Sequence, residues 1–218
     1  MDFEWRIFVE ALPALLLGAR TTVLLSGVSI VLATIIGLFG GLARTSRNHA
    51  LQAMVGAYIV VIRGTPLLVT LMFAYYGLPS LGLLLEAYTV GIVVLAINHG
   101  AFISEIVRGG IESIERGQHF ASRALGMSSR QTMAFIILPQ AIKRILPPLT
   151  HESINLLKNS ALASTIAVGE LLRAGLEVMT WKANTFSPFF GVALIYLALT
   201  LPLVWLSRRL ERHYAVPM

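Results

Sequence analysis

Apolar stretches separated by short polar connections occupy most of the chain. Five of these stretches are long enough to cross a bilayer, and they cover residues 21–43, 51–78, 88–108, 145–168 and 189–206. A helix rises about 1.5 Å per residue and the hydrocarbon core of a bilayer is about 30 Å thick, so about 20 residues suffice. The pattern therefore predicts an all-α integral membrane protein with five transmembrane helices.

Two further segments mix apolar and charged residues and are too polar to cross. Residues 1–20 predict a short amphipathic helix that lies at the membrane interface before the first span. Residues 169–188 form a second amphipathic segment, between the fourth and fifth spans. Since no internal repeat is visible, residues 1–218 are expected to form a single transmembrane domain.

One long connection, residues 109–148, is too rich in charged residues for a bilayer and separates the third span from the fourth. Gly117 and Gly126 are expected to break it into short helices. Ser128, followed three residues later by a glutamine, predicts a capping box that starts a new helix. Pro139 is expected to limit how far that helix continues undisturbed. Such a broken polar loop suits either a docking surface for a soluble partner or a solvated connector.

Composition agrees with membrane insertion and excludes several kinds of site. Of the 218 residues, 56% are hydrophobic and 13% are charged, whereas about a quarter of the residues of a soluble domain are charged. The absence of cysteine excludes disulfides, thiolate metal sites and thiol nucleophiles. The phosphate-binding GxxxxGK(S/T) motif and the metal-binding HExxH motif are also absent, so we expect no catalytic and no metal-binding residues.

The distribution of basic residues predicts the orientation in the membrane. The net charge is +6, but the basic clusters flank the spans, so they indicate topology anchors rather than a nucleic-acid-binding surface. Most cations lie on the side of residues 109–148, together with Arg44, Arg47 and the arginines after residue 206. Because cytoplasmic loops carry the excess of cations, the N-terminus is expected outside and the C-terminus in the cytoplasm.

Several polar side chains fall within the predicted spans. Glu152, Asn155 and Asn159 are spaced i, i+3, i+7 and therefore share one helical face. Asn98 lies in the third span, and Arg63 lies beside the Gly-Thr-Pro break of the second, where backbone groups are freed. Ionisable groups are costly at membrane depth, so they usually line a cavity or pair with one another. For the Glu152 face we favour a substrate path.

An internal network of ion pairs is the alternative interpretation of the same residues. In it, Arg63 or Lys158 would supply the positive charge, and Glu105 or Glu152 would supply the negative charge. This alternative is favoured for Glu105 and Lys158, which lie nearer a helix end or off the polar face. His99 lies among apolar residues and is expected to be a hydrogen-bonded core histidine rather than a ligand.

Four segments resemble the transmembrane permease subunit of polar amino-acid ABC importers, and the resemblance covers most of the chain. They are RGTPLLV at 63–69, SEIVRGGIESI at 104–114, GQHFASRALGMSSRQTMAFIILPQA at 117–141 and INLLKNSALASTIAVGELLRAG at 154–175. The resemblance implies a type I ABC importer permease fold, with residues 1–218 as one permease domain in the bacterial inner membrane. It also implies that the chain is not an enzyme.

The resemblance implies several partners. They are two ABC ATPase subunits, a second permease subunit that is identical or different, an extracellular or periplasmic amino-acid-binding protein, and membrane lipid; no nucleic acid is implied. ATP and Mg²⁺ would be bound by the ATPase, so no cofactor is expected in this chain. Residues 109–148 would form the coupling loop, and the residues that would contact the ATPase are Gly117, Phe120, Ala121, Arg123, Ala124, Leu125 and Gly126.

The chain departs from the family pattern at positions that affect the expected partners and substrate. Phe120 begins the triplet that is usually Glu-Ala-Ala, so the acidic contact to the ATPase is absent. Asn159 stands where the family usually has aspartate. A negative charge that would favour a cationic substrate is therefore missing. We expect a polar, uncharged amino acid such as glutamine, with basic amino acids second, in a pocket near mid-membrane built by Asn98, Glu152, Asn155 and Asn159, with Arg63 beside it.

Two functions of other classes are left open by the residues themselves. In an ion-coupled secondary amino-acid transporter, Glu105 and Glu152 would carry protons. Inverted repeats would support that function, and none are visible. A scaffold that transports nothing would leave the polar face of the fourth span unexplained. An importer driven by a separate ATPase is therefore the leading prediction.

Overall fold

The computed structural model describes residues 3–214, and every regular element among them is a helix. The nine α-helices of this range are α1 Trp5–Arg44, α2 His49–Gly64, α3 Leu67–Met72, α4 Ala87–Glu112, α5 Arg116–Ala124, α6 Ser129–Gln131, α7 Leu138–Asn159, α8 Leu171–Lys182 and α9 Phe186–Tyr214. Two π-helical segments, Phe73–Gly77 and Thr132–Ile137, and two 3-10 segments, Leu78–Leu81 and Ser160–Ile166, extend or join them.

The segment predicted as a separate interfacial helix is the first half of a longer helix, so the predicted boundary at residue 20 is wrong. α1 has 40 residues and is therefore about 60 Å long; residues 1 and 2 lie outside the described range. Leu15 is fully buried in an apolar cluster with Leu171 and Val192. A Cβ atom on Gly18 would lie 2.9 Å from the Cα atom of Leu171. This close packing against α8 and α9 draws the segment into the bundle.

The second predicted span is bent, as its Gly-Thr-Pro interruption indicated. α2 ends at Gly64, and the helical run from Leu67 to Leu81 leaves it at an angle of 101°. Pro66 has no backbone N–H and disfavours a helical conformation in the residue before it, so α2 does not continue through Thr65. The break lies directly beside Arg63.

α4 is the most buried of the long apolar helices and packs closely along α1. Glycines on α1 allow this approach. A Cβ atom on Gly37 would lie 2.3 Å from Cγ2 of Ile103, and one on Gly41 would lie 2.4 Å from Cβ of Val107. Small residues commonly let membrane helices approach in this way. The two helices form the centre of the bundle, against which α7 packs.

The polar connection of residues 109–148 contains α5, followed by a tight turn. α5 begins at Arg116, so Gly117 lies within the helix and does not break the loop, contrary to the prediction. Gly126 does break it, because its φ of 78° is left-handed and glycine adopts that conformation without steric cost. Ser128 and Gln131 then form the predicted capping box.

The helical run that starts at this capping box continues to Asn159, and it is disturbed next to Pro139, as the sequence indicated. The π-helical segment Thr132–Ile137 lies immediately before α7, and Pro139 occupies the first turn of α7. A proline at that position lacks only one N–H, and the wider π turn accommodates the changed hydrogen-bonding pattern. α7 therefore starts earlier than the predicted span, and the 3-10 segment Ser160–Ile166 replaces that span's end.

Three helices of the described range are long and apolar enough to cross a membrane, namely α1, α4 and α9. The bent pair formed by α2 and the run to Leu81 would make a fourth. α7 is long enough, at 22 residues, but it carries Lys143, Arg144, Glu152 and Lys158. The chain is an all-helical multi-pass membrane protein, and the count of five spans stays a prediction.

Candidate functional site

A cavity of about 370 Å³ lies where the break after α2 meets α4 and α7. Each of these three elements contributes polar groups to it. The residues that line it are Ile62, Arg63, Thr65, Pro66, Leu67, Asn98, His99, Phe102, Glu152, Asn155, Lys158 and Asn159. The structure therefore brings together all five residues predicted to bind substrate, and their role in binding stays a prediction.

The polar face of α7 supplies the carboxylate and two amides of the cavity. Glu152, Asn155 and Asn159 are on adjacent turns of this helix, as their spacing indicated. Asn155 Nδ2 donates to Oε2 of Glu152 at 3.3 Å. Glu152 is 8% exposed, whereas Asn155 is exposed. The carboxylate is thus held at the wall of the cavity, with the amides closer to its opening.

His99 connects α4 to this polar face. Its Nδ1 lies 2.6 Å from Oε1 of Glu152, and its Nε2 lies 3.4 Å from Nδ2 of Asn159. His99 is 1% exposed and hydrogen-bonded, as predicted, but it also lines the cavity beside Asn98. The sequence did not indicate this second property, because neighbouring residues on a helix point in directions about 100° apart.

Two cations line the cavity without an ion-pair partner within residues 3–214: Arg63 and Lys158. The Arg63 guanidinium lies over the ring of Phe102, 5.0 Å from its centroid. Neither cation forms a close ion pair with Glu105 or Glu152 within the described residues, although the charge of Arg63 interacts with Glu105 at longer range. Glu105 pairs instead with Arg108, at 2.7 Å, on its own helix.

The proposed coupling contacts form an exposed surface on α5 and the turn after it. Phe120 is 71% exposed and Leu125 is 82% exposed. The other residues of this surface, all exposed, are Gly117, Ala121, Arg123, Ala124 and Gly126. Their part in coupling stays a prediction, because the ATPase that would test it is a separate chain.

The opposite side of α5 is attached to the helical run that leads into α7. Ser122 is 2% exposed, and its Oγ accepts a hydrogen bond from Oγ1 of Thr132 at 3.1 Å. Its backbone carbonyl accepts from the N–H of Met127 at 3.1 Å. Arg144 on α7 also donates to the carbonyl of Ser113, just before α5. The helical run that carries Glu152 therefore bonds to this region at two places, Ser122 within α5 and Ser113 just before it.

Comparison with known proteins gives the same family as the sequence motifs. The family described as "binding-protein-dependent transport system inner membrane component" matches residues 33–216. The glutamine transport system permease protein GlnP of Escherichia coli (strain K12) is 38% identical, over 99% of this chain and 100% of its own length. The probable amino-acid ABC transporter permease protein YckA of Bacillus subtilis (strain 168) is 38% identical, over 98% of this chain and 94% of its own.

Solved structures have the same fold. The crystal structure of an amino acid ABC transporter with histidines superposes with a TM-score of 0.92 and 37% identity, covering 98% of this chain and 100% of that one. An inward-facing MetNI methionine ABC transporter gives a TM-score of 0.78 at 23% identity, over 92% of this chain and 96% of that one, which shows the fold alone.

These matches confirm the resemblance and favour the ATP-driven importer over the ion-coupled alternative. The fold is that of a type I ABC importer permease, and the chain is a transport subunit rather than an enzyme, since the ATPase is a separate chain. Membership implies partner ATPases and binding proteins, and a location in the inner membrane. The chain belongs to the family of inner-membrane components of binding-protein-dependent transport systems.

Proposed function

We propose that this permease passes a polar, uncharged amino acid, with glutamine as the leading candidate, through the cavity between α2, α4 and α7. The observation that carries the proposal is the set of groups at that cavity: one carboxylate, three amides and two cations without ion-pair partners within the described chain. An amino-acid zwitterion needs an anion near its ammonium and donors near its carboxylate. Relatives named for glutamine transport support the same substrate.

Each end of the zwitterion has a partner in this arrangement. Glu152 would accept the ammonium. Arg63, or the backbone N–H groups freed around Gly64 and Pro66, would donate to the carboxylate. The amides of Asn98, Asn155 and Asn159 both donate and accept, which suits a carboxamide side chain.

Basic amino acids are the second candidate. A relative named for arginine transport, ArtQ of Bacillus subtilis (strain 168), is 33% identical over 97% of this chain. The two cations at the cavity, Arg63 and Lys158, oppose a substrate with a net positive charge. We therefore rank glutamine first.

The topology that fits this function has five spans, with the N-terminus outside and the C-terminus in the cytoplasm. The fifth span would be α7, whose polar face turns toward the cavity and away from lipid. Arg44, Arg208 and Arg209 would then lie on the cytoplasmic side with α5, as the positive-inside rule requires.

The complete importer would contain two permease subunits, two ATPases and an external binding protein. α5 would insert into a cleft of one ATPase, with Phe120 in place of an acidic contact. ATP and Mg²⁺ would be held by the ATPases, which leaves this chain without a cofactor. Closing and reopening of the ATPase pair would expose the cavity first to one side of the membrane and then to the other.

Glutamine uptake by the reconstituted importer tests this proposal. Glu152→Gln keeps the shape of the side chain but removes its charge, so uptake in proteoliposomes should fall by at least about tenfold. Capture of glutamine by the external binding protein should be unchanged. Uptake at the parental rate would show that the substrate passes elsewhere and that Glu152 is only a buried partner of His99.

A further inference from the structure

His99 is the one side chain of another helix that hydrogen-bonds to both ends of the polar face of α7 within the described chain. It lies on α4, 1% exposed, with Glu152 on one ring nitrogen and Asn159 on the other. Asn155 extends the arrangement, since it donates to the second oxygen of Glu152. Four polar groups from two helices thus form one hydrogen-bonded chain along the cavity wall.

The chemistry of its partners indicates the direction of each hydrogen bond made by His99. A carboxylate only accepts, so Nδ1 carries a hydrogen and donates to Oε1 of Glu152 at 2.6 Å. The partner of Nε2 is the NH₂ group of Asn159, which only donates. With the Asn159 amide oriented so that its nitrogen faces the histidine, Nε2 accepts this bond.

This arrangement limits what the cavity can offer to a ligand. Oε1 of Glu152 is engaged by a short bond from His99, whereas Oε2 has only the longer bond from Asn155. Asn159 has no hydrogen-bond partner for Oδ1 within the described residues. From Glu152 and Asn159, a ligand would therefore meet mainly one carboxylate oxygen and one amide oxygen.

We propose that His99 is a positioning residue that sets substrate selectivity. It directs Oε2 of Glu152 toward the ammonium of the substrate and Oδ1 of Asn159 toward its side chain. A carboxamide NH₂ suits Oδ1, whereas a second cation would meet a carboxylate with one oxygen already engaged, near Arg63 and Lys158. The inference rests on the proposed substrate cavity and adds the reason for its selectivity.

Two substitutions separate the donor function of His99 from its volume. In His99→Asn, the short amide can place an N–H near the position of Nδ1 and keep the bond to Glu152. In His99→Gln, the longer side chain reaches the position of Nε2 and leaves Oε1 of Glu152 without that donor. His151→Gln is a matched control, because His151 is adjacent to Glu152 in the chain but pairs with Glu211, at 2.7 Å, outside the cavity.

Equilibrium binding to the purified permease–ATPase complex in lipid nanodiscs tests the inference, with labelled L-glutamine as probe and L-lysine as competitor. His99→Gln should weaken glutamine binding about tenfold, the effect of losing one hydrogen bond to a charged group, and should reduce the preference for glutamine over lysine. His99→Asn should stay within about threefold of the parent, and His151→Gln should match the parent.

Parental affinity and selectivity in His99→Gln would overturn the inference. Equal losses in His99→Asn and His99→Gln, with equal falls in melting temperature, would also overturn it, because the histidine would then only fill space. Glu152→Gln in the same assay distinguishes the proposed cavity from the inference. Parental glutamine binding by that variant would overturn both, whereas lost binding with an unaffected His99→Gln would overturn the inference alone.

Discussion

Asn159 lines the cavity with its amide nitrogen bonded to His99 and its amide oxygen without a hydrogen-bond partner among the described residues. Its Nδ2 is engaged with Nε2 of His99, at 3.4 Å, and the residue is partly buried beside the exposed Lys158. A carboxylate at this position would place a second anion in the cavity. It would also remove the N–H group that faces His99. The charge of this one side chain should therefore affect which substrate is carried.

Asn159→Asp should shift transport toward lysine or arginine. The added anion can pair with a cationic side chain, so the ratio of lysine to glutamine uptake should rise about tenfold. Competition uptake in proteoliposomes measures this ratio. Asn48→Asp is the matched control, because Asn48 caps α2 far from the cavity and aspartate caps a helix equally well. An unchanged ratio in Asn159→Asp would place the substrate side chain elsewhere.

The sequence was sufficient to predict part of the cavity. Spacing on one helix placed Glu152, Asn155 and Asn159 together, because helical geometry depends only on residue number. That His99 and Phe102 line the cavity could not be predicted, since it depends on which side of α4 faces α7. That orientation is set by tertiary packing, including the close contact of Gly37 with α4.

The helices differ in how well their ends could be predicted. Capping chemistry located the start of the run at Ser128, because Ser128 and Gln131 satisfy each other's backbone groups. The charges that predict an interfacial helix at residues 1–20 are visible in the sequence. The burial of the first half of α1 is not, because it comes from packing against α8 and α9. Pro139 indicates a disturbance of the helical run but not its form, since a π-helical segment has no simple sequence signal.

Gly37→Val should destabilise the pairing of α1 with α4. Its Cβ atom would lie 2.3 Å from Cγ2 of Ile103, and overpacking of this kind costs about 1–3 kcal/mol. The melting temperature of the purified permease–ATPase complex should fall. Gly27→Val is the control on the same helix, because a Cβ atom at Gly27 meets nothing within 4 Å. Equal melting temperatures for the two variants would contradict the packing of these helices.

Phe120→Asp should weaken the attachment of α5 to the ATPase. Phe120 is 71% exposed, so the change should leave the fold of the chain intact while it removes an apolar contact. Substrate-stimulated ATPase activity of the assembled importer should decrease several-fold. Phe120→Leu should retain most of the activity. Because the contact is apolar, its strength should also depend little on salt. Unchanged stimulation in Phe120→Asp would exclude this surface from coupling.

At the scale of the whole molecule the cations are distributed unevenly, and a group of them lies where α5 faces the connection between α1 and α2. Arg44, Arg47, Arg123 and Arg130 line cavities of about 600 and 740 Å³ between the first connection and α5. The general fold and this asymmetry could be predicted from hydropathy and charge. The number of spans is harder to predict, because α7 is polar and can lie in the bilayer only when neighbouring helices cover its polar face.

Single cysteines can establish the orientation, because the parent chain has none. Ser129→Cys and Trp181→Cys place a thiol at exposed positions on α6 and α8. The predicted topology puts the first in the cytoplasm and the second outside. An impermeant thiol reagent should therefore label only Trp181→Cys in intact cells, and both variants after lysis. Labelling of Ser129→Cys in intact cells would reverse the orientation.

The unbroken helical run from Ser129 to Asn159 makes a lever about 45 Å long. Thr132, near one end, is bonded to α5, and Glu152 and Asn159 lie near the other. A small rotation applied at α5 would be magnified along this arm into a displacement of the cavity wall. The π-helical segment begins at the point of attachment, Thr132, and Pro147 and Pro148 interrupt the backbone hydrogen bonding farther along the arm, so both places should reduce how much of the rotation reaches the cavity.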